Sequence, residues 1–576
     1  MSKMTGGDIV VRALEDEGVP FTFGIPGTHN IELYDSLSRS AAVRPILVTD
    51  EQSASFMADG VSRASGLLGC VNVVPGAGLT HALSGIAEAY LDGIPMLVLG
   101  CGVRTDSGKA FQLHDIDQLA MVRPVTKAQL RPERGSDLYA VVRGACRTAR
   151  AAPAGPVFVE IPVNHYLFKH EPGLDSWVDE EPGPSGPDPQ ALRRAVDLLA
   201  ASRRPLLYLG LGAVGAGADL VALAERLEAP VATTIQGKGV FPESHPLWLW
   251  CGLGAVAPPF VRKLAGDCDL MLAIGCRFSE VGTGSYGFEP PGPLIHVDVD
   301  DSVLGKNYPA ELSLAADARS FVAALLAELE PRSPDPGLRG AIRKGHDQVG
   351  AAWAEGSDER VSPHHLLRAL QERYGPDAVF ATDSGNGTFL AMEHLRLNRA
   401  GCFLAPVDYS CMGYSVPAAL GAALACPDRP AVALAGDGAF LMTGLELLTA
   451  AHLQLPVTIL MLRDRELAQI AQFQQTALAR KTASRLPDFD LEALCRGLAV
   501  QYLSLAADSE VSETLGRARS LHADGRPVVV EVEIDYSQAT FFTRGVVRTS
   551  LGRLPWPDRL RFVGRALARR LPGRGG

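Results

Sequence analysis

The sequence lacks several features that would assign it to a class at once. None of its ten cysteines forms a CxxC pair, so we expect neither a disulfide framework nor a cysteine zinc site. No apolar run approaches the roughly 18 residues that a membrane span needs. The first residues, MSKMTGGDIVVRALEDEGV, carry charges where a secretory leader has an apolar core. These absences predict a cytoplasmic protein with reduced thiols.

The chain also lacks a cationic excess. Its 576 residues have a formal net charge of −11, which argues against a nucleic-acid partner. The C-terminal end is different, because nine arginines and one aspartate follow from Arg544 onward. Here Leu560, Val563, Leu567 and Leu571 recur at helical spacing among arginines and predict an amphipathic helix. The favoured interpretations are that it packs on its own domain or on a partner subunit, or is disordered, and contact with an anionic membrane surface is the alternative.

What the sequence does contain is a repeated alternation of apolar, strand-like runs with stretches of helical period. This alternation is typical of α/β domains with parallel sheets. We predict three doubly wound α/β domains with mostly parallel sheets, at 1–172, 190–330 and 360–540, and a basic amphipathic tail at 541–576. The proline-rich stretches EPGLDSWVDEEPGPSGPDPQ and PRSPDPG separate the three domains.

The predicted strands are the longest apolar runs of each domain. They are RPILVTD, LGCVNVV, IPMLVLG and GPVFVEIP in the first domain, RRPLLYLGLG, APVATT, CDLMLAIG and PLIHVDVD in the second, and DAVFATD, PAVALAGDG, PVTILMLRD and RPVVVEVEID in the third.

Two acidic turns follow neighbouring strands of the third domain, at Asp437 and Asp464. Because the carboxyl ends of parallel strands open on one edge of a sheet, both turns should face one crevice. Gly436 and Gly438 should let the backbone turn sharply and approach a ligand, and a helix beginning near Phe440 would point its free N–H groups at a phosphate. Such a site suits Mg²⁺, which takes one or two carboxylates with phosphate oxygens and water. Two unrelated loops that contain aspartate are the alternative.

The stretch GDGAFLMTGLELLTAAHLQLPVTILMLRD resembles the GDG-to-NN motif of thiamine-diphosphate-dependent enzymes, whose first Asp and second Asn hold Mg²⁺ with the diphosphate. Asp437 matches the first ligand. Asp464 stands at the second Asn and Arg463 at the first, so the chain reads RD instead of NN. The resemblance implies that Asp464 and the backbone carbonyl of Glu466 are metal ligands. Arg463 departs from the motif, and we expect its charge to offset that of Asp464. The resemblance also assigns three further residues to cofactor binding, namely Gly436, Gly438 and Ala439.

Other segments carry the same resemblance over about residues 5 to 540. TDEQSASFMADGVSRASG looks like the segment with the family's activating glutamate, at Glu51, which favours the imino tautomer of the aminopyrimidine and thereby proton removal from thiazolium C2. DYSCMGYSVPAALGAALA resembles the segment whose bulky residue, here Met412, holds the thiamine bent. TDSGNGT matches a diphosphate loop, at Asn386 and Gly387, and GKAFQLHDIDQLAMVRPVTKA places Gln112 toward the substrate. Taken singly, these residues would be read as a surface glutamate, a core methionine and an Asn-Gly turn.

The resemblance implies a pyrimidine-binding domain first, a Rossmann-like central domain, and a diphosphate-binding domain last. In this family the cofactor lies between the first domain of one chain and the last domain of its partner. Glu51 and Asp437 are therefore expected to meet across the interface of a homodimer, or within a homotetramer, and a monomer is expected to be inactive.

Among these enzymes, the chain most resembles the acetolactate synthase catalytic subunit, through Phe111 and Gln112, GCRFSEVGTG and HVDVDDSVLGKN. This implies decarboxylation of pyruvate or a related 2-oxoacid and transfer of the acyl carbanion to a second carbonyl. His29 instead resembles the histidine of benzaldehyde-lyase-like enzymes and predicts a proton relay, with a turn histidine as an equal alternative. IDQLAMVRPVTK also leans toward the acyl-CoA lyases, so C–C lyase reactions of aldehydes or 2-hydroxyacyl-CoA thioesters stay open. The sequence lacks the double-histidine motif of pyruvate decarboxylases, so release of a free aldehyde is not expected.

The central domain has a GxGxxG pattern after a strand, at Gly210, Gly212 and Gly215. No acidic residue ends the following strand, APVATTIQG, to hold an NAD ribose. Acetolactate synthases keep FAD in this domain and pyruvate oxidases use it, but this chain has CGLGAVAPP where the synthases have a Gly-Met-His-Gly turn. FAD, another nucleotide and no ligand at all stay open for this site, and a flavin-dependent pyruvate oxidase is a further alternative.

Overall fold

The computed structural model describes residues 3–174, 186–353 and 359–570. Three six-stranded sheets follow one another along these residues, and every strand pairing within them is parallel. The predicted fold class, three parallel-sheet α/β domains, is confirmed. Most of the predicted linker EPGLDSWVDEEPGPSGPDPQ lies outside the described residues.

The first sheet has the strand order β3-β2-β4-β5-β7-β6, and a small antiparallel pair, β1 and β8, lies beside it. The strands are β1 (Met4–Thr5), β2 (Phe21–Gly24), β3 (Arg44–Leu47), β4 (Gly69–Val73), β5 (Met96–Gly102), β6 (Ala128–Leu130), β7 (Pro156–Pro162) and β8 (Lys169–His170). The helices are α1 (Gly6–Asp16), α2 (Ile31–Ser38), α3 (Glu51–Ser65), α4 (Ala77–Asp92), α5 (Gln118–Val122), α6 (Leu138–Arg150) and α7 (Val163–Leu167).

The central sheet has the order β11-β10-β9-β12-β13-β14. Its strands are β9 (Pro205–Leu209), β10 (Val231–Thr233), β11 (Trp248–Cys251), β12 (Leu270–Ile274), β13 (Leu294–Asp298) and β14 (Leu312–Ala315). Its helices are α8 (Pro189–Ala201), α9 (Gly217–Leu227), α10 (Pro259–Gly266), α11 (Ala318–Glu328) and α12 (Pro336–Ala352), and the last of these leads toward the third domain.

The third sheet has the order β16-β15-β17-β18-β20-β19. Its strands are β15 (Val379–Thr382), β16 (Phe403–Leu404), β17 (Ala431–Gly436), β18 (Val457–Arg463), β19 (Gln501–Leu505) and β20 (Val528–Glu533). The helices are α13 (Pro363–Tyr374), α14 (Asn386–His394), α15 (Ser415–Ala425), α16 (Asp437–Thr443), α17 (Leu447–Leu453), α18 (Ala468–Leu478), α19 (Leu491–Gly497), α20 (Val511–Ala523), α21 (Phe541–Arg553) and α22 (Trp556–Ala568). β17 and β18 read as continuous buried runs because helices cover both faces of a parallel sheet.

The first and third domains pack directly on each other through α3 and α15. Small residues let the two helices approach closely: a Cβ on Gly60 would lie 2.3 Å from the carbonyl oxygen of Ala418, and one on Gly421 would lie 2.1 Å from that of Met57. The hydrophobic core continues across this contact from one sheet to the other. Any larger residue at either glycine would separate the helices and shift the two sheets relative to each other.

The basic tail forms two helices. α21 packs on the central domain, where a Cβ on Gly545 would lie 2.4 Å from the carbonyl oxygen of Ala255. α22 lies beside α18 and leaves its predicted apolar stripe, Leu560, Val563 and Leu567, exposed, while Leu571 lies outside the described residues. Within the described part of the chain, no helix has both the length and the apolar character needed to cross a membrane.

Candidate active site

The GDG turn lies at the carboxyl end of β17, where α16 begins at Asp437, three residues before the predicted start near Phe440. The Asp437 carboxylate accepts the N–H groups of Arg465 at 2.7 Å and Gly438 at 2.8 Å, so it is held at the mouth of the crevice. Burial raises the pKa of Asp437.

The glycines of this turn do not have the role that the sequence predicted for their backbone. Gly436 has φ −66° and Gly438 lies in α16, so neither uses a left-handed conformation. A Cβ on Gly436 would meet nothing within 4 Å, which leaves open space at the crevice. A Cβ on Gly438 would lie 2.7 Å from Leu467 Cδ2 and 3.5 Å from Met412 Cε. The missing side chains therefore leave open space at Gly436 and allow close packing at Gly438, while the chain passes from strand to helix without a left-handed glycine.

Asp464 follows β18 on the neighbouring strand, and its backbone N–H lies 3.3 Å from the Asp437 carboxylate. Burial, and then the charge of Asp437, raise the pKa of Asp464 to about 7. Two carboxylates held this close disfavour each other's ionisation unless a cation lies between them. The donor set therefore fits a divalent metal ion.

The side chain of Glu466 forms ion pairs with Lys481 and, at 3.7 Å, with Arg485. The motif implies the backbone carbonyl of Glu466, and not this side chain, as the metal ligand.

Arg463 does not point its charge at the two aspartates. Its guanidinium group forms ion pairs with Glu531 and Asp488 and donates to the carbonyl oxygen of Phe489 at 2.7 Å. Its positive charge is thus shared with other carboxylates, but it also opposes the effect of burial on the pKa of Asp437.

The predicted diphosphate loop follows β15. Asn386 is the first residue of α14, after Gly385 with φ 129°, and its side chain donates to Gln472 of α18 at 3.3 Å. Gly387 lies in the next position, where a Cβ would come to 3.4 Å from Leu462 of β18. Both residues are thus at the same edge of the third sheet as Asp437.

Glu51 is the first residue of α3, and only 7% of its surface is exposed. Asp50 caps this helix by accepting the N–H of Gln52. Gly78 of α4 faces the Glu51 side chain, because a Cβ there would lie 2.9 Å from Glu51 Oε1. His81 Nδ1 lies 3.1 Å from Asp50 and 3.7 Å from Glu51. The glutamate therefore occupies a tight pocket at the carboxyl end of the first sheet.

A pair of histidines lies at the same edge of this sheet. The rings of His29 and His114 are 5.5 Å apart between centroids and meet edge to face. Burial, and then His114, lower the pKa of His29. Gln112, in the same loop as His114, donates its side-chain amide to the carbonyl oxygen of Arg104 at 2.8 Å. The predicted Gln112 thus folds back on its own loop, and the loop brings His114 to the site beside it.

Three family models match the chain, one for each sheet. They are the thiamine pyrophosphate enzyme N-terminal TPP binding domain at residues 4–121, the central domain at 192–325, and the C-terminal TPP binding domain at 383–532. The chain belongs to the thiamine pyrophosphate enzyme family. The family resemblance seen in the sequence is confirmed, and so is an enzyme that depends on this cofactor.

Curated relatives cover nearly the whole of this thiamine pyrophosphate enzyme. A probable acetolactate synthase large subunit of Methanocaldococcus jannaschii is 30% identical over 93% of each chain. The acetolactate synthase isozyme 3 large subunit of Escherichia coli is 29% identical over 94% of this chain and 96% of the relative. A probable 2-ketoarginine decarboxylase of Pseudomonas aeruginosa is 35% identical over 81% of this chain and 83% of the relative. The similarity therefore extends to relatives with different reactions in their names.

The central domain of this thiamine pyrophosphate enzyme has a cavity of about 350 Å³ at the carboxyl ends of its strands. Gly210 and Gly212 of the GxGxxG pattern pack against Gly275, since a Cβ on either would come within 2.8 Å of that residue's backbone. Gly212 also lines the cavity, and a Cβ on Gly215 would meet nothing within 4 Å, so the turn packs on Gly275 at one side and is open at the other. Asp298, the last residue of β13, and Asp300 line the cavity, and burial raises the pKa of Asp298. Both aspartates follow a later strand than APVATTIQG, the strand at which the GxGxxG pattern predicts an acidic residue.

Three other residues that hold the site in place were not identified as site residues from the sequence. Glu446, fully buried, accepts the N–H and hydroxyl groups of Thr49, two positions before Glu51. Asp383 and Glu88 hold the backbone on either side of Met412. Asp383 has a detectable signal, because it follows an apolar run beside the predicted diphosphate loop. Glu88 and Glu446 have none, since each contacts a segment more than 300 positions away.

Proposed function

We propose that this thiamine pyrophosphate enzyme is a metal-dependent 2-oxoacid carboligase of the acetolactate synthase type. It would decarboxylate pyruvate or a related 2-oxoacid and transfer the acyl unit to a second carbonyl. The observation that carries the proposal is the pairing of Asp437 with Asp464 beside the Met412 loop, together with a buried Glu51 on the first domain. The acetolactate synthase relatives over more than nine-tenths of the chain support the same reaction class.

The residues have separate tasks in this proposal. Thiamine diphosphate, when bound, supplies a carbon nucleophile that also accepts the electrons of the breaking C–C bond. Asp437, Asp464 and the carbonyl of Glu466 would hold Mg²⁺ and so fix the diphosphate. Met412 would support the rings from below. Glu51 would hold a proton at the aminopyrimidine, in a pocket from which water is largely excluded.

We also propose that two chains form the active sites together, as a homodimer or a dimer of dimers. Four apolar side chains next to the GDG turn are between 48% and 58% exposed, namely Leu441, Met442, Leu445 and Leu448. We call them the apolar row. An exposed apolar patch of this kind beside a ligand site is typical of a protein interface. The apolar row therefore supports a dimer in which the first domain of the partner chain brings its Glu51 to Asp437 of this chain.

A second candidate is a decarboxylase that ends by protonating its product and releasing an aldehyde. The His29–His114 pair favours it, since two imidazoles 5.5 Å apart can pass a proton to a bound intermediate. A relative carries the name 2-ketoarginine decarboxylase at 35% identity. The same pair would serve a C–C lyase of aldehydes or 2-hydroxyacyl-CoA thioesters, which runs through the same proton transfer.

We propose in addition that the central cavity binds a nucleotide, with FAD as one candidate. Carboxylates at strand ends, such as Asp298, are suited to ribose hydroxyl groups. The absorbance of the purified protein at flavin wavelengths, and chromatography of the nucleotide released on denaturation, distinguish FAD from an adenine nucleotide. If a flavin is present and is bleached by pyruvate, the enzyme is an oxidase.

The test is turnover of pyruvate by the pure protein with thiamine diphosphate and Mg²⁺, with products identified by mass spectrometry. Other 2-oxoacids are then tested as substrates, including one with a guanidinium side chain. Glu51→Gln should lower kcat by about 100-fold or more. Glu32→Gln is the control, because Glu32 also lies in the first turn of a helix of the first domain.

Acetolactate that disappears with Glu51→Gln supports the carboligase, and an aldehyde supports the decarboxylase. Acetate with a reduced flavin supports the oxidase. If the wild type and Glu51→Gln react at equal rates, the assignment of Glu51 is wrong.

A further inference from the structure

The loop that carries Met412 is held on both sides by buried carboxyl groups. Asp383 accepts the N–H of Gly413 at 2.9 Å, and it accepts both the N–H and the hydroxyl group of Ser415 at 2.8 Å. Thr443 donates its hydroxyl group to the carbonyl oxygen of Gly413 at 2.6 Å. These contacts come from the third domain and fix the residue that follows Met412.

The residue that precedes Met412 is fixed from the first domain. Glu88 of α4 accepts the N–H of Cys411 at 3.0 Å, and the Cys411 thiol donates to the carbonyl oxygen of Ser84 at 3.3 Å. Glu88 has no exposed surface. Its other carboxyl oxygen has no hydrogen-bond partner among the described residues. This carboxyl group has no role in the reaction proposed above, and its one directed contact is with the Met412 loop.

The protonation state of Glu88 is consistent with its role as a hydrogen-bond acceptor for the Met412 loop. Burial, and then the charge of Asp92, raise the pKa of Glu88 to about 9, although Arg63 opposes them. At neutral pH the side chain is therefore an uncharged acid whose carbonyl oxygen can accept the N–H of Cys411. An amide of the same length would keep that acceptor.

The same helix also reaches the glutamate of the first domain. Gly78, in the first turn of α4, packs on Glu51, and Glu88 lies ten residues later, about 15 Å along the helix axis. Helix α4 is a rigid element of 16 residues. One end therefore shapes the pocket of Glu51, and the other end fixes the loop of Met412.

We propose that Glu88 is a positioning residue for the cofactor: through the N–H of Cys411 it sets the position of Met412. Helix α4 thereby couples the Met412 loop to the Glu51 pocket of the same chain, which belongs to the other active site of the proposed dimer. This inference rests on the proposed function, in which Met412 supports the thiamine rings. It predicts that loss of the acceptor, and not loss of charge, displaces the loop.

The experiment compares Glu88→Met with Glu88→Gln in the full chain. Methionine has a similar length but no acceptor, whereas glutamine retains one. The measurements are the Kd of thiamine diphosphate at saturating Mg²⁺, the near-ultraviolet circular dichroism of the bound cofactor, and kcat and KM for the best substrate. We expect Glu88→Met to weaken cofactor binding about 10-fold, to alter the cofactor's dichroism and to lower kcat more than it changes KM. Glu88→Gln should stay within about 3-fold of the wild type.

Glu393 provides a matched control. It is 1% exposed, it accepts one backbone N–H group, that of Phe542 at 3.0 Å, and its other oxygen has no partner among the described residues. Glu393→Met should lower the Tm as much as Glu88→Met does but leave the cofactor's dichroism unchanged. If Glu88→Met folds and binds the cofactor like the wild type, or if Glu88→Gln is as defective as Glu88→Met, the inference is wrong.

Failure of the proposed function has a different outcome. If the wild-type protein binds no thiamine diphosphate, or if Asp437→Ala binds it as well as the wild type, the site assignment itself is wrong. If Asp437→Ala loses binding and Glu88→Met retains it unchanged, only the role of Glu88 is refuted. Should Glu88→Met not fold, Glu88→Asp gives the same comparison, because its shorter side chain withdraws the acceptor and keeps the acid.

Discussion

Replacement of Gly78 by alanine should displace the Glu51 carboxyl group and leave the fold intact. The added Cβ would lie 2.9 Å from Glu51 Oε1 and 2.9 Å from Val74 Cγ2, compared with an ordinary contact of 3.4–4 Å. Both contacted atoms are ends of side chains, so they can move while the backbone of α4 stays in place. The carboxyl group has to shift by about half an ångström. Since a displacement of 1 Å costs roughly 100-fold in rate, kcat should fall about 10-fold.

The assay is steady-state turnover of the substrate identified above, together with the Tm. Gly78→Ala should lower kcat, leave KM within about 2-fold, and keep or raise the Tm, since alanine favours helices by about 1 kcal/mol. Gly144→Ala in α6 is the control, because a Cβ there meets nothing within 4 Å. It should gain stability without losing activity. Full activity of Gly78→Ala would refute the placement of Glu51 as the activating group.

Three other predictions concern metal, pH and product. Asp464→Asn removes one of two adjacent carboxylates, so the affinity for Mn²⁺ in the absence of the cofactor should fall about 10-fold, as measured by electron paramagnetic resonance. Equal affinity would show that Asp437 binds the metal without Asp464. Burial raises the pKa of Glu393 to about 8 from 4.5, so the wild type should lose stability relative to Glu393→Gln as the pH rises from about 4.5 through 8. The slope should reach about 1.4 kcal/mol per pH unit in unfolding measurements, and a pH-independent difference would contradict this. His114→Phe should lower aldehyde formation about 10-fold and leave acetolactate formation unchanged, as measured by product analysis; equal loss of both would show that the His29–His114 pair does not choose the product.

The interior strands of the three sheets, apart from the four-residue β2, could be predicted from the sequence because they are buried on both faces. PVTILMLR became β18, and RPVVVEVE became β20, each a continuous apolar or alternating run. Five of the six edge strands were not predicted, namely β6, β11, β14, β16 and β19. Some of these are only two to four residues long and partly exposed, as in β14 and β6, so they lack the apolar period that marks a strand.

The sequence allows a candidate site residue to be proposed where one short segment carries both the motif and that residue. Asp437, Asp464 and Met412 each lie in such a segment. The contacts that hold those segments could not be predicted, because Glu446 with Thr49 and Glu88 with Cys411 join positions 397 and 323 residues apart. A single sequence has no pattern that links a carboxylate on one domain to a backbone N–H on another. Likewise, the space left by Gly436 and Gly438 depends on the positions of neighbouring side chains in the folded structure, which the sequence does not specify.

The apolar row has a consequence for genetics. None of its four residues is a proposed ligand, so chains with Glu51→Gln or with Asp437→Ala keep the surface through which we propose that two chains pair. In a dimer of one chain of each kind, one active site would contain both substitutions. The other site would combine the unchanged Glu51 of one chain with the unchanged Asp437 of the other. Two alleles that are each inactive alone should therefore complement each other when expressed together, whereas an allele with charged residues in the row should complement neither.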